Sequence, residues 1–190
     1  SGISYDEANA GNEGIIIFFI CLLFIYLILS GQYESFLLPL PVILSLPTGI
    51  FGAFFMLTVL GLENNIYAQI AMIMLIGILS KNAILIVEFA AQKHSEGKTA
   101  LEAAIEGAKL RLRPILMTSF AFMAGLLPLV VSTGAGAMGN RTIGTAALGG
   151  MLFGTIFGVI LIPGLYWVFA RLSERFSKNI ENENPFTETI

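Results

Sequence analysis

Stretches of chain without a single charged residue set the first limit on what this sequence can fold into. Residues 14–29 and 114–131 hold none, and a helix needs only about 20 residues to cross the hydrocarbon core of a bilayer. A soluble fold spreads charge along most of its elements, about a quarter of all residues. Here 12% of the 190 residues are charged and 56% are hydrophobic, so the chain reads as a membrane protein. Its net charge of −3 offers no basic surface to nucleic acid, and that class is set aside.

Five segments read as spanning: residues 14–32, 39–60, 66–90, 114–131 and 142–170. All should be helices, because a helix satisfies its own backbone hydrogen bonds in lipid. Strands would need a closed barrel and a period-two pattern that is absent. The expected fold is all-α, a polytopic membrane helical bundle occupying residues 14–171. The connector after the third segment holds Lys93, Lys98, Lys109, Arg111 and Arg113, and the tail holds Arg171, Arg175 and Lys178. The positive-inside rule sets both in the cytoplasm, and the two crossings between them agree. The N-terminus and residues 1–13 then lie outside, although the turn around Tyr33 and Glu34 has no basic residue to support this.

The basic connector has a pattern of its own. Thr99 and Glu102 make a capping box, and Leu101, Ala104, Ile105, Ala108 and Leu112 follow helical spacing. This predicts a short amphipathic helix over residues 99–112 against the inner membrane face, or, more plainly, an ordered connector with a solvated basic face. Residues 172–190 make a cytoplasmic tail, polar and aperiodic from Ser177 onward, and read as disordered. Cys21, the one cysteine, sits in an apolar run and reads as a packing residue, not a disulfide partner or metal ligand. The first segment follows Asp6, Glu7 and Glu13 where a signal peptide has a basic region, and the chain lacks an initiator Met. It is therefore expected to be a fragment of a longer protein.

Lys81 is the residue most in need of explanation. It lies among Leu79, Ala83, Ile84 and Leu85, too deep to reach the interface easily by snorkelling. A lysine at the centre of a membrane helix costs about 2.5–3.5 kcal/mol, so such residues usually face a bundle interior and a partner. Burial lowers a lysine's pKa and a nearby carboxylate raises it, so a lysine among acids inside a membrane can change partners as protons come and go. Glu88 is on the same face but about 10 Å further along the helix, too far for a direct pair. The matching carboxylates are expected on a part of the protein outside this chain.

Asn82 can donate and accept hydrogen bonds beside Lys81, although a satisfied interhelical contact is the commoner outcome. On spacing alone Thr118 is structural, since a membrane-helix threonine most often bonds its own backbone, and Arg111 is an interface anchor. Gly150, Gly154 and Gly158 form two overlapping G-x-x-x-G repeats, a strip for close helix packing. Pro47, Pro128 and Pro163 fall within spanning segments and should kink or loosen them. Gly134-x-Gly136-x-x-Gly139 fits a dinucleotide fingerprint as a string but follows a membrane segment, so it is a turn. Gly97-Lys98-Thr99 resembles the end of a P-loop, but Gln92 stands where the first glycine is required. With His94 the sole histidine and no nucleophile–base pairing, nothing supports an enzyme, a cofactor or a metal site.

The stretches Lys81-Asn-Ala-Ile-Leu-Ile-Val-Glu-Phe-Ala90, Arg111-Leu-Arg-Pro-Ile-Leu-Met-Thr-Ser119, Ser132-Thr-Gly-Ala-Gly136 and Gly144-Thr-Ala-Ala-Leu-Gly-Gly-Met151 closely resemble the C-terminal membrane part of resistance-nodulation-division efflux pumps, hydrophobe/amphiphile branch. The resemblance runs from Tyr5 to Arg175. It implies a proton-driven inner-membrane exporter of drugs or other amphiphiles, with twelve helices per protomer. Such pumps form homotrimers that join a periplasmic adaptor and an outer-membrane channel. This chain would supply helices eight to twelve, with residues 1–13 ending a periplasmic segment. The resemblance also matches Lys81, Thr118 and Arg111 to the family's proton-relay residues, with Asn82 beside them, and puts their paired aspartates on helix four, outside this chain. It reverses the structural reading of Thr118. Two alternatives stay open: an assembly module with Lys81 as a static ion-pair anchor, and a related pump for metal ions or lipids.

Overall fold

The computed structural model describes residues 3–33 and 36–183, with side chains over 16–33 and 36–173. It consists of α1 (Ile3–Tyr33), α2 (Leu40–Val59), α3 (Ile66–Ser95), α4 (Ala100–Val130) and α5 (Ala137–Glu183). No strand occurs among the described residues. Each of the five helices contains a stretch long and apolar enough to cross a membrane. The chain is thus an all-α, polytopic membrane bundle.

Short connections, residues 60–65, 96–99 and 131–136, reverse the chain between successive helices from α2 to α5. α5 is the central helix and packs against α2, α3 and α4, whereas α1 touches only α2 and α3 among the described residues. Two apolar clusters stack along the bundle. One contains Leu46, Ala71, Leu75, Ala147 and Met151, and the other Val42, Ile86, Ala90, Ala104 and Tyr166.

Lipid tails are as apolar as leucine, so helices in a membrane are held by close packing rather than by hydrophobic drive. The α2–α5 crossing shows this most plainly. A Cβ added to Gly149 would lie 2.6 Å from the Gly52 carbonyl oxygen, and one on Gly150 would lie 3.0 Å from that of Gly49. Gly154 meets Leu79 and the Gly49 Cα, whereas Gly158 faces nothing closer than Ile162 of its own helix, at 3.5 Å. Close packing therefore uses Gly149, Gly150 and Gly154, and the third glycine of the expected strip lies elsewhere.

The structure differs from the expected layout in two places. Residues 99–112 do not form a separate amphipathic helix, because α4 runs unbroken from Ala100 to Val130 through Pro114. Its first turns bury the small face Ala100, Ala103, Ala104 and Gly107 and leave Leu101, Ile105 and Leu112 exposed. A Cβ on Gly107 would sit 2.7 Å from the backbone nitrogen of Ala90, so the connector is clamped onto α3 and continues straight into the span. The turn before it uses Gly97 at φ 93°, the Thr99–Glu102 capping box and a Lys98–Glu106 ion pair. The second difference is α5, which begins at Ala137 and continues to Glu183, beyond both ends of the expected 142–170 span. At its start Arg141 donates to the Val130 carbonyl at 3.3 Å, tying a polar first turn to the end of α4. At its far end helix replaces the disorder expected from Ser177, and residues 184–190 lie outside those described. Pro47, Pro128 and Pro163 likewise sit inside continuous helices.

Ala90, Ala100, Ala104 and Ala170 share one cluster. The end of α3, the start of α4 and the later part of α5 therefore meet at one end of the bundle, which gathers Lys93, Lys98 and Arg171.

Candidate functional site

α3 carries the polar run Ser80-Lys81-Asn82 near mid-length and α4 the pair Thr118-Ser119, and neighbours on a helix point about 100° apart. Adjacent members of each run thus serve different surfaces. Lys81 and Thr118 are exposed within this chain, while Ser119 is fully buried and Asn82 partly so. Lys81 and Thr118 line the same open cavity, about 280 Å³, together with Asn82, Pro114, Phe122 and Met151. Residues 37 apart in sequence are thereby brought to one surface.

The Thr118 hydroxyl donates to the Ile115 carbonyl at 3.0 Å. This is the local bond expected of a helix threonine, and it commits the proton while leaving the oxygen's lone pairs to accept from the cavity. Lys81 forms no ion pair or hydrogen bond with any described residue, Glu88 included. An ammonium group with three donors and a hydroxyl acceptor therefore share a surface that opens away from the bundle.

Arg111 does not join them. It lies two turns before Thr118, with its guanidinium carbon 3.7 Å from the centre of the Phe89 ring on α3. A guanidinium over an aromatic face is attracted by the ring quadrupole, which fixes Arg111 at the base of the α3–α4 hairpin. Its Nε is buried without a partner among the described residues. Nothing in the residue spacing pointed to Phe89.

Behind the cavity, on the α5 side, Thr155 donates to Ser119 at 3.0 Å, and both side chains are buried. This contact, between residues 36 apart, was also illegible in the sequence. Among the described residues no group of His, Cys, Asp and Glu could hold a metal ion.

The profile of the AcrB/AcrD/AcrF family matches residues 1–170. The Escherichia coli K12 multidrug resistance protein MdtF is 44% identical over 179 residues, covering 94% of this chain and 17% of that protein. The Pseudomonas putida toluene efflux pump membrane transporter TtgB is 40% identical over 187 residues, 97% of this chain and 18% of that protein. A second P. putida toluene efflux pump membrane transporter, TtgE, is 42% identical over 179 residues, again 94% and 17%. The chain thus spans less than a fifth of the length of these relatives. With the profile covering nearly all of the five-helix bundle and the motifs around Lys81 and Thr118, this chain belongs to the AcrB/AcrD/AcrF family of efflux transporters.

Proposed function

We propose that the chain is the C-terminal membrane part of a proton-driven efflux transporter for drugs, solvents or other amphiphiles, and that it carries one side of the transmembrane proton relay. In this reading Lys81 is the mobile cation and Thr118 its hydroxyl partner. Arg111 guards the cytoplasmic end of the pathway, and Asn82 supports Lys81 from behind. The carboxylates that exchange with Lys81 belong to the remainder of the same transporter. The protein resides in the bacterial inner membrane with its N-terminus periplasmic and its C-terminus cytoplasmic, in line with the basic residues gathered at one end of the bundle. It works as a homotrimer with a periplasmic adaptor and an outer-membrane channel, uses the proton gradient as energy source and needs no cofactor. The relatives named for multidrug resistance and toluene efflux support the amphiphile class.

One observation carries the relay reading. Lys81 is a charge that is costly in lipid, and it opens onto the same cavity as Thr118 with no counter-ion among the described residues. Protonation of carboxylates facing that cavity would remove their attraction for Lys81, and the helices would settle into a different arrangement. Thr118 supplies a direct test in the complete transporter. Thr118→Val keeps the shape and deletes the oxygen, and it should abolish export in a drug-susceptibility assay, whereas Thr118→Ser should retain most of it. Full export by Thr118→Val would remove the hydroxyl from the relay.

A further inference from the structure

Between α2, α3, α4 and α5, behind the Lys81 cavity, lies a small, partly open void of about 10 Å³, where Ser45, Asn82 and Thr155 stand among apolar residues such as Ile115 and beside Gly158. That is about the least space that admits one water molecule. Dry voids in proteins are apolar, but this one has a polar group from each of three helices. The Asn82 Nδ2 is buried and has no hydrogen-bond partner among the described residues. An unmet buried amide costs about 1–3 kcal/mol, so such groups are normally satisfied.

The hydrogen bonds already made define what can satisfy it. Ser45 spends its proton on the Val42 carbonyl at 2.6 Å, and Thr155 spends its own on Ser119 at 3.0 Å. Both hydroxyls therefore offer only lone pairs to the void, while Asn82 offers an N–H. An occupant must accept one hydrogen bond and donate two. A cation would face the amide hydrogens and an anion would face two sets of lone pairs, but water meets both demands.

We propose that this void holds one ordered water bridging Asn82 on α3 to the hydroxyls of Ser45 on α2 and Thr155 on α5. The bridge fixes the rotation of α3 directly behind Lys81. It also gives Gly158 a role: the glycine that makes no close helix contact keeps the space open. The proposal does not depend on the transport reading, because its test measures occupancy and stability.

The test uses the complete transporter. A density map fine enough to show ordered water should contain a peak within about 2.7–3.2 Å of the Asn82 Nδ2 and of at least one of the two hydroxyl oxygens. A void without density, or an Asn82 amide bonded directly to another helix, would overturn the proposal. Melting in detergent provides a second measurement. Alanine gains about 1 kcal/mol of helix propensity over glycine whether the void is wet or dry, so the comparison between two backgrounds decides. Gly158→Ala takes up the water's room and strands the amide, so it should shift the melting temperature less favourably with Asn82 in place than in an Asn82→Leu background. Equal shifts in the two backgrounds would contradict the proposal.

Discussion

Replacing Lys81 with alanine in the complete transporter is expected to reduce export to the level of cells that lack the protein, while the variant still reaches the membrane and assembles. The two halves of this result have separate causes. Assembly should persist because no ion pair or hydrogen bond among the described residues of the five-helix bundle depends on Lys81, and carboxylates left without it in the complete transporter can take up protons instead of standing as unpaired charges. Alanine in its place removes a charge whose insertion costs about 2.5–3.5 kcal/mol. Export should fail because the cavity shared with Thr118 then lacks its cation, and protonation of facing carboxylates would no longer change any attraction. Drug susceptibility alongside quantification of trimer in the membrane reads both halves. A static anchor gives the opposite pattern: Lys81→Ala loses folded protein, and exchanging the charges of the two partners restores function.

The second large effect belongs to Gly149. Its added Cβ would lie 2.4 Å from the Met56 Cβ and 2.6 Å from the Gly52 carbonyl oxygen. Backbone cannot rotate away as the end of a leucine can, so Gly149→Ala must push α2 and α5 apart along the central contact of the bundle. Overpacking of this kind costs about 1–3 kcal/mol, and the two helices have no hydrophobic drive in lipid to offset it. The fraction of transporter that stays monodisperse after heating in detergent should fall sharply. Gly164→Ala serves as a control on the same helix, since a Cβ there meets nothing within 4 Å in this chain, and it should behave as wild type.

The five spans were legible because lipid imposes the simplest pattern in protein sequence, a long run without charge. Helix ends were less so, for specific reasons. The start of α5 contains Gly139, Asn140 and Arg141 and looks like loop, yet Arg141 finds the Val130 carbonyl and the turn closes. The connector before Pro114 shows an amphipathic stripe, but its small face of Ala103, Ala104 and Gly107 is the one buried. A stripe of leucine and isoleucine and a stripe of alanine and glycine compete in that segment, and only the neighbouring helix decides between them. Lys81 could be singled out from cost alone. That it shares a surface with Thr118, and that Arg111 instead stacks on Phe89, depends on how α3 and α4 are rotated against each other, and periodicity along one helix does not encode that. Gly149, which packs directly on the Gly52 backbone, was missed because it lies one residue outside the G-x-x-x-G register, on the side that meets α2.

The central claim is that Lys81 responds to proton occupancy and does more than hold helices together. Proton flux tests it most directly, with the complete transporter reconstituted in liposomes that carry an imposed pH gradient and a pH-sensitive dye inside. Substrate-stimulated proton entry should be clear for the wild type and absent for Lys81→Ala at equal amounts of assembled trimer. Undiminished proton flux through Lys81→Ala would contradict the account.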